Sequence, residues 1–554
     1  MKKVINIAIT IILVLSYTNS ISQTQTVGVF TNDTASVFAG YTLFAPKHNS
    51  MTYLVNNEGK KIHEWNTSIY PPGQAVYLLE NGNLLRSCMT QGQLGTGGGE
   101  GGRIEEYNWD DSLVWSMDYS TTTYMQHHDI KKLPNGNIIM LVVHKKTMSQ
   151  IIAAGFDTSK FQPDVYTHGF FLPDKIVEVE PTYPTGGIVV WEWDIWDHLI
   201  QHFDSTKSNY GIPSAHPELI DCAGDHKVLP LFWNHMNSID YNPALDQIAV
   251  SVRGNSEVWI IDHSTTMMQS ASHTGGNHGK GGDLLYRWGN PICYGAGNAS
   301  TQQYYQQHDV EWVKPGCPGE GNLTCYNNGV GLNYSRITEI TPPIDSLGNY
   351  SITPGLAYGP TAPIWTYVAN PPSAMYSENI SGAERLPNGN TIICVGASGT
   401  FYEVTSSGAI VWKYICPTTN LGPLVQGDSI PTDITHPEET LNSVFRVYKY
   451  GTNYPAFNGK NIIPGSPIEL YPTSIMENNL QSLDLNVYPN PFNNSFHLTN
   501  AKENYKEQIV DVCGQLIWEG YEFDEKNLST IKSGVYLLKI MSKEQVAYRS
   551  IIKE

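Results

Sequence analysis

Three histidines stand just ahead of strand-like runs: His128 in Met125-Gln126-His127-His128-Asp129-Ile130, His235 in Phe232-Trp233-Asn234-His235-Met236-Asn237-Ser238, and His308 in Gln306-Gln307-His308-Asp309-Val310. Asn237 follows His235 by two residues, and Arg253 follows the next apolar run, Ile248-Ala249-Val250 with Ser251-Val252. Three imidazoles, an amide and a guanidinium aimed at one place suit an anion. Arginine matches a tetrahedral oxyanion bidentately, and asparagine and histidine can donate to its remaining oxygens. Three histidines with an open position also form a zinc arrangement, so a metal-dependent hydrolase is an alternative. Against it, the sequence lacks a His-Glu-x-x-His helix, and Arg253 would repel a cation.

These residues can meet only if they occupy equivalent places in repeated units around an axis. One repeated module is an apolar strand turned by Asn-Gly, at 76–85, 130–139 and 384–393. Asn-Gly tolerates the positive φ of a tight hairpin, so each copy predicts two antiparallel strands. A second module is a strand, a turn and a strand ending near tryptophan, at Trp115, Trp193, Trp288 and Trp412. The alternation predicts four strands per unit and an all-β, six-bladed β-propeller. Units begin near Ala75, Asp129, Asn237, Asp309 and Ala383, and a sixth joins 41–65 to 442–450. A pair of large β-sandwiches is the competing architecture. In an extended strand His235 and Asn237 project from the same face.

The stretch Phe232 to Pro243, continuing through Ser251-Val252-Arg253, Asp283-Leu284-Leu285-Tyr286-Arg287-Trp288-Gly289-Asn290-Pro291 and Gln307-His308-Asp309, resembles the bacterial aryl-sulfate sulfotransferase family over roughly residues 40–455. The resemblance implies a six-bladed propeller that moves a sulfuryl group from a phenolic sulfate ester to an acceptor phenol, with no nucleotide donor and no cofactor. It implies that His308 becomes transiently sulfated and that His235, Asn237 and Arg253 bind the sulfuryl oxygens. His128 matches the remaining active-site histidine, with His127 one residue away as the alternative. An imidazole nucleophile splits one hard displacement into two, giving ping-pong transfer. A propeller that only binds a partner remains possible, because fold alone does not fix function.

Lys2, Lys3 and the apolar run Val4 to Leu15 read as a secretory signal peptide over residues 1–22. The repeat pattern occupies 23–471, and 472–481 reads as a linker. Residues 482–554 alternate as a small β-sandwich, and Tyr488-Pro489-Asn490-Pro491 with Gly534-Val535-Tyr536-Leu537-Leu538 resembles a type A sorting domain of type IX secretion. That resemblance implies handling by the type IX machinery and release outside the cell or at its surface. A net charge of −19 excludes a nucleic-acid partner, which would require a basic footprint. Cys317 and Cys325 flank a Pro/Gly/Asn loop and are expected to pair locally. The glycine-rich stretches 95–102 and 275–282 lack the Lys-Ser/Thr of a phosphate loop and read as flexible connections between strands.

Overall fold

The computed structural model describes residues 24–90, 94–95, 98–223, 229–471, 485–499, 505–511, 516–521, 528–541 and 546–554. The proposed signal peptide lies outside them. The chain divides into a unit ending at Tyr471 and a second from Pro472 to Glu554.

Among the described residues the first unit holds six antiparallel sheets of four or five strands, with three two-stranded sheets beside them. Sheet 1 runs Pro72–Leu78, Leu84–Met89, Gly102–Tyr107, Leu113–Asp118; sheet 2 runs Tyr124–Lys132, Ile138–His144, Asp174–Pro181, Gly187–Asp194. Sheet 3 runs Met236–Asn242, Gln247–Val252, Glu257–Asp262, Tyr286–Trp288; sheet 4 runs His308–Trp312, Leu323–Asn327, Arg336–Ile340, Trp365–Tyr367. Sheet 5 runs Gly382–Arg385, Thr391–Val395, Thr400–Val404, Ile410–Ile415, with Gly28–Asn32 added at its edge. Sheet 6 joins distant segments, Val444–Gly451 pairing with Gly40–Pro46 ahead of Thr52–Asn56 and Lys61–Trp65.

The hairpins form where Asn-Gly predicts them, by a different device. Only the glycine takes the left-handed conformation (Gly82, Gly136 and Gly389, φ 87°, 92° and 87°). Asn81, Asn135 and Asn388 instead accept the backbone N–H two residues on, at 2.9–3.1 Å. The asparagine acts as an Asx turn, leaving glycine to absorb the strained dihedral.

Second strands such as Ile138-Ile139-Met140-Leu141-Val142-Val143 are buried on both faces, because each sheet is covered twice. Ile139 and Leu141 share a core with Ile248 and Val250 of sheet 3, whereas Ile138 and Met140 share one with Leu85 and Trp115 of sheet 1. Sheets 3 and 4 share a core, as do 4 and 5, 5 and 6, and 6 and 1. The fourth strand of every sheet carries tryptophan, and its indole N–H reaches into the next sheet. Trp115 donates to Gly186 O, Trp191 to Thr265 Oγ1, Trp288 to Pro360 O and Trp365 to Ser406 O. Trp412 donates to Asn57 O and Trp65 to Asn108 O, at 2.8 and 3.0 Å, carrying the pattern from sheet 5 to 6 and from 6 to 1. Each indole buries a large apolar body and satisfies its one donor at a turn.

Short helices, Met148–Ala153, Pro163–His168 and Met267–Ser270, occur in excursions between strands. The expected disulfide does not form. Cys317 and Cys325 are both free and buried, and Cys325 lies within a strand where its Sγ donates to His308 O at 3.2 Å.

The second unit pairs Asn486–Tyr488 with His497–Thr499, beside a sheet of Leu516–Tyr521, Lys506–Val510, Gly534–Met541 and Val546–Lys553. Phe492, Phe496, Ile509, Leu538 and Ile551 share its core. Asn490 of the Tyr-Pro-Asn-Pro motif donates to Ser550 O and accepts from Ile552 N, so the motif tacks the loop onto the last strand.

Candidate active site

The first strands of the sheets are polar where the other strands are apolar, and most of them begin irregularly. Gln74, His128, His235, Asp309 and Ser381 all have positive φ, between 48° and 101°. The ladders skip at the same places: residues 127–129 in sheet 2, Asn237 in sheet 3, and between His308 and Glu311 in sheet 4. Such bulges re-aim side chains at sheet ends, and a left-handed non-glycine residue costs on the order of 1–3 kcal/mol. His235 and Asn237 therefore do not lie on one face of an extended strand, as simple alternation predicts.

The bulges bring the sequence candidates together. The His128 and His235 rings stand 5.0 Å apart, with Phe232 stacked on His235 at 4.3 Å. His308 is near enough to both to repel their charged forms. Pairing of Met236 with Val252 puts Arg253 beside His235, whose carbonyl accepts the Arg253 N–H at 3.2 Å. No carboxylate among the described residues lies within ion-pair distance of the Arg253 guanidinium. Asn237 Nδ2 donates to Gln307 O at 2.8 Å, fixing the residue before His308, while its Oδ1 is buried and unpartnered.

All three imidazoles are held neutral. Burial lowers His308 well below 6.5, with Arg253 adding to it. Burial also lowers His235, followed by Arg253, and His128, followed by His235. His308 Nδ1 lies 2.8 Å from Asn328 Oδ1, and Asn328 Nδ2 donates to the carbonyls of Ser377 and Ile380. Those two donations orient the amide with its oxygen toward the ring. The proton therefore sits on Nδ1, leaving the Nε2 lone pair free.

Of the adjacent pair, His128 faces His235 and His127 lies behind it. His127 Nδ1 is 2.8 Å from His128 Nδ1, and His127 Nε2 is 2.9 Å from Asp174 Oδ1. Asp174, His127 and His128 thus form a chain along which a proton can be shared.

Beneath the histidines sits Arg446, which sequence reading passed over. Its guanidinium bridges Asp129 Oδ2 at 2.7 Å and Asp309 Oδ1 at 3.0 Å, and donates to Asn237 O at 2.6 Å. Asp129 and Asp309 are the residues that follow His128 and His308, so one cation ties three first strands together. Asp129 also accepts from Ile239 N and Asp309 from Ala383 N, continuing the links sheet to sheet. The recurring His-Asp dipeptide signalled the acidic half of this network.

Residues 47–415 match the model of the arylsulfotransferase (ASST) family. The chain belongs to that family. Residues 486–554 match the secretion system C-terminal sorting domain, which marks the protein for export to the cell surface or beyond. A curated relative, an endo-acting ulvan lyase of Formosa agariphila, is 23% identical over 312 residues, 54% of this chain and 53% of the relative. The chain thus spans about half the length of the curated relative it matches. Among solved structures, a Bacteroides caccae protein of unknown function is 11% identical with a TM-score of 0.38, over 74% of this chain and 98% of that one. Hydrazine synthase of Kuenenia stuttgartiensis is 13% identical with a TM-score of 0.31, over 54% and 67%.

Sequence reading also missed Asn328 and the role of the first glycine-rich stretch in this arylsulfotransferase domain. Gly99 O accepts the His128 N–H at 2.8 Å. A Cβ on Gly99 would fall 1.8 Å from His128 Cε1. Glycine is needed there because the backbone crosses the imidazole at contact distance, so this part of the stretch is packed against the site.

Proposed function

We propose that the protein is an aryl-sulfate sulfotransferase working through a sulfated His308, and that its six sheets are the blades of a closed propeller. The cyclic sequence of shared cores and indole staples, ending with Trp65 of sheet 6 on sheet 1, supports the closure. The observation that carries the chemistry is a neutral His308, its tautomer set by Asn328, near an Arg253 that forms no ion pair among the described residues, although Glu378 is close enough to act on its charge. We assign residues 1–22 to a signal peptide, 23–471 to the transferase, 472–481 to a linker and 482–554 to the sorting domain.

In the first half-reaction His308 Nε2 attacks sulfur, the S–O bond to the aryl group breaks, and a phenol departs. Charge spread over the sulfuryl oxygens is met by Arg253 and His235, with the second Asn237 amide hydrogen available to them. A phenolate is a moderate leaving group, so a proton delivered by His128 speeds its departure, an effect typically worth about 10² to 10⁴. The Asp174–His127 chain returns that proton to His128 and holds the charge meanwhile. In the second half an acceptor phenol loses its proton to His128 while its oxygen attacks sulfur, breaking the S–N bond and restoring His308. Phe232 and Phe445, flanking His128, offer apolar faces for the aryl ring.

Release of p-nitrophenol from its sulfate ester, with and without an added phenol, tests this reading. We expect parallel double-reciprocal lines, activity that survives chelator, and a first half-reaction whose rate stays flat as pH falls through 6.5, since His308 titrates well below that value. A chelator-sensitive hydrolysis indifferent to the phenol would replace the transferase with a metal-dependent hydrolase, and no turnover of any aryl sulfate would favour a binding protein. Gly99→Ala should lower transfer more than roughly 10-fold while leaving the melting temperature within a few degrees, because its cost falls on the His128 ring rather than on a core.

A further inference from the structure

A cavity of about 690 Å³ contains none of the residues of the histidine cluster; Trp196, Asn209, Tyr210, His216 and His273 are among those lining it. At its margin three donor groups converge. His198 Nδ1 and His273 Nδ1 each lie 2.8 Å from Asp283 Oδ1, and the three ligand atoms fall within 4.8 Å of one another. His198 is fully buried and Asp283 nearly so, whereas the His273 side chain is 60% exposed.

The hydrogen bonds of His198 constrain what occupies this point. Its Nε2 lies 2.8 Å from Ser270 O, a carbonyl that can only accept, so Nε2 carries the proton. Nδ1 is then a lone pair facing a carboxylate oxygen at 2.8 Å, an arrangement that repels unless positive charge lies between them. A second proton on the ring would supply it, and so would a metal ion. His273 favours the ion, because it directs a second Nδ1 at the same oxygen. A histidine that ligates through one nitrogen and donates through the other to a backbone carbonyl is the usual outer-shell arrangement of metal sites.

We propose that His198, His273 and Asp283 bind a divalent transition-metal ion, with a fourth position open to solvent or to the cavity. Two imidazoles and one carboxylate suit zinc and are a poor set for calcium or magnesium, which prefer all-oxygen shells. Tetrahedral zinc spreads its ligand atoms to about 3.3 Å, so both 2.8 Å contacts to Asp283 would lengthen by about half an ångström, the buried His198–Asp283 contact as well as that of the exposed His273. The second glycine-rich stretch is built for the site. A Cβ on Gly282 would meet Ser270 O at 2.0 Å and His198 Nε2 at 2.6 Å, so the chain passes directly over the ligand ring just before Asp283. The ion would clamp this excursion of sheet 3 to the turn Ile195–His198 that follows sheet 2.

The test uses the full-length protein, stripped with chelator and titrated with zinc or cobalt(II). Expected for the wild type is one equivalent of metal that His273→Ala binds more than roughly 100-fold more weakly, with the visible band of tetrahedral cobalt present only in the wild type. Because His273 is exposed, the variant should keep its fold, which near-ultraviolet circular dichroism verifies, and its p-nitrophenyl sulfate turnover. Equal metal content in the two proteins, or none in either, overturns the site.

Discussion

His308→Ala is expected to retain less than about 10⁻⁴ of the wild-type transfer rate while folding and binding donor normally, in line with the loss seen when a covalent nucleophile is deleted. His308 is the imidazole whose Nδ1 proton is pinned by Asn328, so its Nε2 presents a lone pair at any pH above its depressed pKa. His235 and His128 cannot replace it without abandoning the oxyanion and proton roles proposed for them. Wild-type protein treated with donor alone should yield one sulfated peptide, spanning His308, that disappears on adding phenol. Full transfer by His308→Ala would mean that the acceptor attacks the donor directly. Asn328→Leu, which releases the tautomer but keeps the nucleophile, should give an intermediate loss in kcat with little change in KM.

Arg446→Met should lower unfolding free energy by about 3–5 kcal/mol, because removing one partner leaves buried carboxylates uncompensated. Asp129 and Asp309 are both buried, and Arg446 is the cation that both of them reach. Asp309 is already raised to about 6, by burial first and Asp129 as well, with Arg446 as the main opposing influence. Without the guanidinium it would take up a proton on folding, and the loss of stability should grow as pH rises, since the unfolded carboxyl is ionised there. Denaturant titrations across pH measure both effects. Adding Asp129→Asn and Asp309→Asn to Arg446→Met should recover part of the loss. No recovery would mean that Arg446 acts by packing alone.

How much of this was legible in the chain varies with the range of the interaction. The hairpins were, because a turn depends on neighbours a few residues apart; even there the local chemistry was misassigned, glycine alone taking positive φ while asparagine capped the turn. The tryptophans marked the fourth strands, and the His-Asp dipeptides marked the positions that converge. The Cys317–Cys325 expectation failed because loop spacing says nothing of strand direction, and Cys325 is held in a ladder with its Sγ on His308 O.

Sequence by itself determined the all-β class, the sorting tail, and the histidines with Arg253 as candidates, because these follow from periodicity, composition and short motifs. Tertiary structure decided that His128 is the ring beside His235, with His127 turned to Asp174, since a bulge that flips φ at a single residue leaves no periodic trace. It also decided that Gly99 lies over His128, that Asn328 sets the His308 tautomer, and that Arg446, 317 residues from Asp129, holds the ring of first strands together. The first and last of those contacts join different sheets and depend on the order in which the sheets pack, whereas Asn328 reaches His308 across the irregular start of sheet 4, just beyond the His308–Tyr326 pair.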